Sequence, residues 1–484
     1  MLRRASETVR GHRAAVRLAV GSAAAGLAVA AVTVALTGPW DHGQRTAERV
    51  SAAEASDGRD GLPPARPAAG GPAPAGAVLT PLAPLGEAPP GDAPQGRQEA
   101  LPDPAALARE LKPLLADEAL GKGVAAAVVD LGTGEQLFAL RPDAASSPAS
   151  TTKLATAVAA LDALGPDHRL DTHVVWDAGN RRVILVGGGD TTLTARRLEE
   201  LAARTAEALR ERGEHEAGVG VGYDVTRYRG GGTRHPIGVN ANIAPISPLM
   251  VNAGRLDDST RGPAPRTGDP AGEAAAAFTG HLREHGITVQ GASAAKRTAP
   301  AGAERLAGHR SAPVSVLVER MLTDSDNDLA ESLALQTAIA GGHRADRAGA
   351  ARAVTERLED LGLPMRGVRI ADGSGLDRSG RLTPGLLTGL LVTAADPGHP
   401  ELRPALTGLP VAGFTGTLSG RYAEEGGGLV RAKTGTLTGV NALAGTVVTG
   451  DGRVLAFAFL ATGTPGARAA EEALDRAAAR LADH

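Results

Sequence analysis

Three short polar strings, scattered over most of the chain, restrict the fold more than any local pattern, because they make chemical sense only when brought together. Lysine is rare here: five of the 51 basic residues are lysine (Lys112, Lys122, Lys153, Lys296 and Lys433) and the rest are arginine. Two of the five close or open strings built around an amine, Ser150-Thr151-Thr152-Lys153 and Lys433-Thr434-Gly435-Thr436. Between them lies Ser325-Asp326-Asn327, 175 residues after Ser150. By chance a Ser-x-x-Lys string arises roughly 0.25 times in a chain of this composition and Lys-Thr-Gly roughly 0.05 times, so the ordered set carries weight that no member has alone.

The first hundred residues have no material for a core. Leu18 to Leu36 is an uncharged stretch preceded by Arg3, Arg4, Arg10, Arg13 and Arg17. It is long enough to span a bilayer, and its basic front predicts that the N-terminus stays in the cytoplasm. Residues 1–36 are therefore expected to be a cytoplasmic tail with a transmembrane anchor, a cleaved signal being the alternative, and the rest is expected outside the cytoplasm. Residues 37–100 are rich in Pro, Ala and Gly and read as a disordered linker with a typical reach of about 40 Å. Without cysteine there is no disulfide framework and no thiolate ligand or nucleophile. A net charge of −3 with 2% aromatic residues offers neither a basic stripe nor a stacking platform, which argues against nucleic acid as a partner.

Beyond residue 100 the periodicities alternate. Asp103-Pro104 starts a helix, and Val124–Val129 with Leu137–Leu140 reads as a strand hairpin. Apolar positions Leu154, Val158 and Leu161 give a helix that begins at Ser150, with Lys153 on the same face, and ends near Gly165. The long gap before Ser325 predicts an inserted α/β domain, 170–300, opening on a hairpin (His173–Trp176, Val183–Val186) and containing helices near Leu198–Leu209 and from Asp269-Pro270 to Gly286. Helices then flank Ser325-Asp326-Asn327. Strands at Leu429–Lys433, Asn441–Val448 and Val454–Leu460 and a closing helix from Arg468 complete the chain. Helices collected between early and late strands indicate an α+β domain, 101–169 and 301–484, whose sheet is drawn from both ends.

A serine hydroxyl becomes a nucleophile when a base takes its proton, and a neutral Lys153 one helical turn from Ser150 is placed to do so. Burial and a second cation, Lys433, are expected to lower the Lys153 pKa. Ser325 is a candidate proton relay, and Asn327 a candidate for holding both a substrate amide and the lysine. Lys433, Thr434, Gly435 and Thr436 would line a strand edge suited to a terminal carboxylate. Backbone N–H groups and the helix N-terminus would hold an oxyanion. The set predicts acyl transfer from a peptide with a free C-terminus.

With these residues in view, the chain resembles the type-4 low-molecular-mass penicillin-binding proteins, the D-alanyl-D-alanine carboxypeptidase/endopeptidase family. Supporting stretches are Leu185-Val186-Gly187-Gly188-Gly189-Asp190, Ser325-Asp326-Asn327-Asp328-Leu329-Ala330-Glu331, Asp372-Gly373-Ser374-Gly375-Leu376, Leu409-Pro410-Val411-Ala412-Gly413 and Lys433-Thr434-Gly435-Thr436-Leu437. The resemblance implies a penicillin-binding, serine β-lactamase-like fold and an acyl-enzyme on Ser150. It also implies peptidoglycan stem peptides ending in D-Ala-D-Ala as substrates, β-lactams as inhibitors, and neither cofactor nor metal. Thr191, where the family usually has Pro, and Asp377, where Ser commonly follows Gly-Leu, depart from it. The insert is also shorter than in three-domain members, which weakens the expectation of endopeptidase activity.

Other readings stay open at this point: a β-lactamase or esterase of the same fold, or a non-catalytic cell-wall binding protein. His281-Leu282-Arg283-Glu284-His285 matches a zinc-peptidase string but lacks a third ligand and reads better as an exposed helix end. Gly187–Gly189 lacks the spacing of a phosphate loop and reads as a turn. Asp372-Gly373-Ser374-Gly375 reads equally as a tight turn and as a border of the active site.

Overall fold

The computed structural model describes residues 101–484 apart from 233, 239 and 423–425. The expected anchor (1–36) and linker (37–100) lie outside the described residues. Among those described, no helix is long and apolar enough to cross a membrane.

In chain order the elements are α1 (Pro104–Leu115), β1 (Ala125–Asp130), β2 (Gln136–Leu140), α2 (Thr152–Leu164), β3 (Arg169–Asp177), β4 (Arg182–Val186), α3 (Ala195–Glu211), β5 (Val219–Asp224) and α4 (Pro270–Glu284). They continue with β6 (Val289–Lys296), β7 (Glu304–Pro313), α5 (Val314–Thr323), α6 (Asn327–Ala340), α7 (Arg347–Asp360), α8 (Pro384–Ala395), α9 (Pro404–Thr407), β8 (Val430–Leu437), β9 (Val440–Val448), β10 (Val454–Thr462) and α10 (Ala467–Arg480).

The first sheet runs β2-β1-β10-β9-β8 and is antiparallel throughout, so strands from both ends of the described chain share it. Alternate residues of its central strand β10 serve two cores. Leu455, Phe457 and Phe459 pack with Leu107 and Leu111 of α1 and Leu474 of α10. Ala456, Ala458 and Leu460 face Leu154 and Leu161 of α2 and Leu387 and Leu391 of α8. Both faces are therefore covered by helices, and alanines on the second side let α8 lie close to β10. Burial of each large apolar side chain stabilises the layers by about 1.5–3 kcal/mol. Asp103 caps α1 by accepting from the N–H groups of Ala105 and Ala106.

The second sheet runs β6-β5-β4-β3-β7, with β4, β5 and β6 parallel and β3 antiparallel to both its neighbours. Its own core joins Val174, Trp176, Val183 and Leu185 to Leu198 and Leu201 of α3 and Phe278 and Leu282 of α4. The sheet reaches Pro313, so the excursion from the first sheet runs past residue 300. Neither β7 nor α8 was anticipated. For α8 the signal was present in the sequence, since Thr383 caps it and Pro384 occupies its first turn.

The glycine run after β4 fastens this sheet to α6. Gln336 Nε2 donates to the Gly188 carbonyl and Ser332 Oγ to the Gly189 carbonyl. A Cβ on Gly189, where φ is +96°, would stand 2.0 Å from Gln336 Nε2 and 2.5 Å from the Tyr228 hydroxyl. Glycine is required there by close approach.

Candidate active site

A short 3₁₀ turn, Ala149–Thr151, leads into α2, so Ser150 stands at the helix N-terminus with Lys153 one turn further in. Ala149 is held at φ +47°, a left-handed conformation that costs about 1–3 kcal/mol in a residue with a Cβ. Two glycines crowd around it. A Cβ on Gly375 would meet the Ala149 carbonyl at 1.8 Å, and one on Gly435 would meet the Pro148 carbonyl at 2.7 Å. The Lys-Thr-Gly string thus has its glycine where β8 passes over the turn that carries Ser150.

Lys153 is fully buried. Its Nζ lies 3.1 Å from Ser150 Oγ, 2.7 Å from Asn327 Oδ1 and 2.8 Å from the Ser374 carbonyl oxygen. Burial lowers its pKa to about 8, against the opposing pull of Asp372, Glu331, Asp326 and Asp328. Of the two causes expected, burial produces the shift, and the charge of Lys433 is not among its sources. Two of the three partners, an amide oxygen and a backbone carbonyl, can only accept hydrogen bonds. A neutral amine therefore gives them its two N–H groups and turns its lone pair to the Ser150 hydroxyl.

Asp326 caps α6 by accepting from the Leu329 N–H, which aims Asn327 at the lysine from the first residue of the helix. Asn327 Nδ2 donates to the Asn242 carbonyl, in the segment between β5 and α4. Ser325 precedes the cap in a left-handed conformation, φ +55°. Among the described residues its hydroxyl has no hydrogen bond, so it is the least anchored of the expected site residues.

Lys433 is also fully buried, and its Nζ donates to the Thr434 carbonyl at 2.8 Å. Burial, reinforced by the positive charge of Lys153, holds its pKa well below the usual lysine value. Thr434 Oγ1 donates to Thr417 Oγ1, and Thr436 Oγ1 to Glu471 Oε1. β8 is an edge strand. The segment around Val411 covers its start, with the Ala432 N–H donating to the Pro410 carbonyl. Past Ala432 no described strand pairs with that edge. A cleft of about 840 Å³ opens beside its far end, bounded by Ile237, Leu376, Arg378, Leu437 and Pro465.

The turn at Asp372-Gly373-Ser374-Gly375 borders the site. Its contribution comes from main-chain carbonyls, which a reading by side-chain type does not register: Ser374 O accepts from Lys153, and Gly373 O from Thr156 Oγ1. His235 was missed altogether, and Glu331, although it closes one of the supporting stretches, was given no role. Asp377, one of the two departures, pairs with Arg347 at 2.7 Å. His281 meets Glu284 at 2.8 Å at the exposed end of α4.

A family model described as the D-Ala-D-Ala carboxypeptidase 3 (S13) family matches residues 107–265 and 258–482. Carboxypeptidase Rv3627c of Mycobacterium tuberculosis is 35% identical over 399 residues, covering 78% of this chain and 84% of that protein. Carboxypeptidase DacB of Mycolicibacterium smegmatis is 33% identical over 489 residues and 96% of each chain. In fold, the chain is similar to penicillin binding protein 4 of Haemophilus influenzae, with a TM-score of 0.61, 21% identity and coverage of 78% of this chain and 98% of that one. That protein has also been solved in complex with a β-lactam.

Proposed function

The chain belongs to the D-Ala-D-Ala carboxypeptidase 3 (S13) family and is a serine-type D-Ala-D-Ala carboxypeptidase, and from that premise we propose how its residues divide the reaction. Ser150 is the nucleophile and Lys153 the base. The observation that carries this reading is the bonding of Lys153 Nζ, 2.7 and 2.8 Å from two pure acceptors and 3.1 Å from Ser150 Oγ.

The open edge of β8 accepts the stem peptide as an added strand, with the scissile carbonyl over Ser150. Lys433, with Thr434 and Thr436, receives the terminal carboxylate, and the incoming anion offsets the cost of charging a buried amine. Ser150 Oγ attacks the carbonyl carbon while its proton passes to Lys153. Backbone N–H groups at the start of α2 and along β8 hold the oxyanion. The proton then reaches the departing D-alanine amine, with Ser325 as relay. Water, activated by the same lysine, hydrolyses the ester and frees Ser150. The substrates are peptidoglycan stem peptides ending in D-Ala-D-Ala. β-Lactams acylate the same serine. Labelling with a radioactive penicillin followed by peptide mapping tests the assignment: the adduct is expected on Ser150 and absent from Ser150→Ala, and label on another serine overturns it.

The arginine-rich front and the apolar stretch Leu18–Leu36 support a location outside the cytoplasm, tethered to the membrane. A chain beginning at Leu101 is expected to be soluble and to hydrolyse D-Ala-D-Ala peptides as fast as the full chain in detergent. Loss of activity on truncation would assign the linker a part in the folded domain.

A further inference from the structure

His235 reaches the catalytic centre from the segment between β5 and α4. Its side chain and that of Asp372 are 3% and 2% exposed. Nε2 stands 2.9 Å from Asp372 Oδ2, and the Ile237 N–H donates to Nδ1 at 3.2 Å. The second bond fixes the tautomer: Nδ1 is the acceptor, so Nε2 carries the proton and donates to the carboxylate. The ring is thus held at both nitrogens without needing a charge.

Asp372 organises the turn that follows it. Oδ1 accepts from the Gly375 N–H at 2.8 Å, and Oδ2 from the Asp377 N–H at 2.7 Å and the Ser374 hydroxyl at 3.2 Å. Glu331 of α6 braces the turn from the other side by accepting the Ser374 N–H at 2.9 Å. Held in this way, the turn presents its Ser374 carbonyl to Lys153 and its Gly373 carbonyl to Thr156. The potential ligand atoms of His235, Glu331 and Asp372 lie within 4.8 Å of one another. With the imidazole included, however, Asp372 already accepts four donors, three of them on Oδ2, which suits a rigid brace better than a cation site.

We propose that His235 is a positioning residue for the catalytic amine: by donating to Asp372 it fixes the turn whose Ser374 carbonyl holds Lys153 beside Ser150. The inference rests on the reading of Lys153 as the base. Without the imidazole donor Oδ2 keeps only the Asp377 N–H and the Ser374 hydroxyl, and the turn is no longer tied to the segment that carries His235. One of the two acceptors that orient the lysine lone pair moves with it. Part of the base's alignment is thereby supplied by a segment remote in sequence from all three strings.

Two amide substitutions that keep side-chain bulk separate this role from simple filling, His235→Gln and His235→Asn. The longer glutamine amide places its nitrogen at the position of the imidazole Nε2, whereas the shorter asparagine amide reaches only the position of Nδ1. Acylation of the full-length chain in detergent by a labelled penicillin, followed over a range of concentrations, gives the acylation rate constant and the non-covalent dissociation constant separately. For His235→Asn the rate constant is expected to fall about ten- to hundredfold, the size of a small misplacement of a catalytic group, while the dissociation constant stays within about threefold. His235→Gln is expected to acylate within about threefold of the parent, since it keeps the donor to Asp372. Equal rates in the two variants, both fast or both slow, overturn the proposal. Lys153→Ala run alongside separates the two levels: undiminished acylation there sinks the base assignment itself, whereas a dead Lys153→Ala with equal amide variants sinks only the role of His235.

Discussion

Asn327 Oδ1 accepts a hydrogen bond from Lys153 Nζ at 2.7 Å across 174 residues of sequence. Through Nδ2 the same side chain donates to the Asn242 carbonyl at 3.0 Å. One amide thus joins the helix of Lys153, the second string and the segment between β5 and α4. Its two ends have fixed polarity, because the carbonyl end must face the lysine and the amine end the backbone oxygen.

Replacing Asn327 with Asp keeps the shape and changes the electrostatics. A carboxylate 2.7 Å from the amine favours its charged form, so the Lys153 pKa rises from about 8. A base must be neutral to act. The alkaline-going rise of kcat/KM, expected near pH 8 in the parent, should move to higher pH by about 1–3 units, the effect of a close opposite charge. A pH profile identical to the parent's would remove Lys153 as the titrating base.

Gly435→Ala tests why the third string contains a glycine. The added Cβ would lie 2.7 Å from the Pro148 carbonyl and 3.2 Å from Ala149 Cβ, so its nearest obstacle is main chain. β8 must move off the turn that carries Ser150. Overpacking of this kind costs about 1–3 kcal/mol of stability, measurable by denaturant unfolding, and penicillin acylation should fall with it. Unchanged stability and acylation would mean that β8 and Ser150 are not rigidly coupled.

The residues explain what a reader of the sequence could and could not see. Ser150, Lys153, Asn327 and Lys433 carry their chemistry in their side-chain types, and the structure gathers Ser150, Lys153 and Asn327 into one hydrogen-bonded set. The sheet was legible because Asn441–Val448 and Val454–Leu460 are strongly apolar runs divided by a glycine turn. Ser374 acts through a carbonyl that every residue possesses, so its side chain gave no signal. His235 lies in a Gly- and Pro-containing segment without periodicity, and its partner Asp372 is 137 residues away. Glu331 sits on α6 where charged residues usually face water, yet it is 5% exposed. These three depend on tertiary contacts that no local pattern encodes.

Lys433→Ala should weaken hydrolysis of peptides with a free terminal carboxylate more than that of their C-terminal amides. The lost selectivity should amount to roughly 1.5–3 kcal/mol, the size of a hydrogen bond to a charged group. Because the Lys433 pKa is lowered by burial, part of the carboxylate's binding is coupled to proton uptake by this amine. In the parent, therefore, the preference for carboxylate over amide should grow as pH falls. Comparing kcat/KM for the two substrate forms across pH checks both points, and equal losses on both would confine Lys433 to a role in supporting Lys153.

Lys153 also carries a cost in stability whose pH dependence can be separated from its catalysis. Its pKa falls from 10.5, the ordinary value that the unfolded chain retains, to about 8, so the native state binds this proton less tightly than the unfolded state does. The penalty is fully present below about pH 8 and fades as pH rises toward 10.5. At about 1.4 kcal/mol for each unit, the whole effect is about 3 kcal/mol. Lys153→Met should abolish acylation while keeping the volume filled, and it escapes the penalty at every pH. It also leaves Asn327 Oδ1 and the Ser374 carbonyl without their donor, a loss that is the same at all pH values. The difference in unfolding free energy between Lys153→Met and the parent should therefore shift in the parent's favour by up to about 3 kcal/mol between pH 8 and pH 10.5. Denaturant titrations at a series of pH values measure it. A constant difference across that window would mean that the amine is not held in a depressed state by burial, and the base would need another source of neutrality.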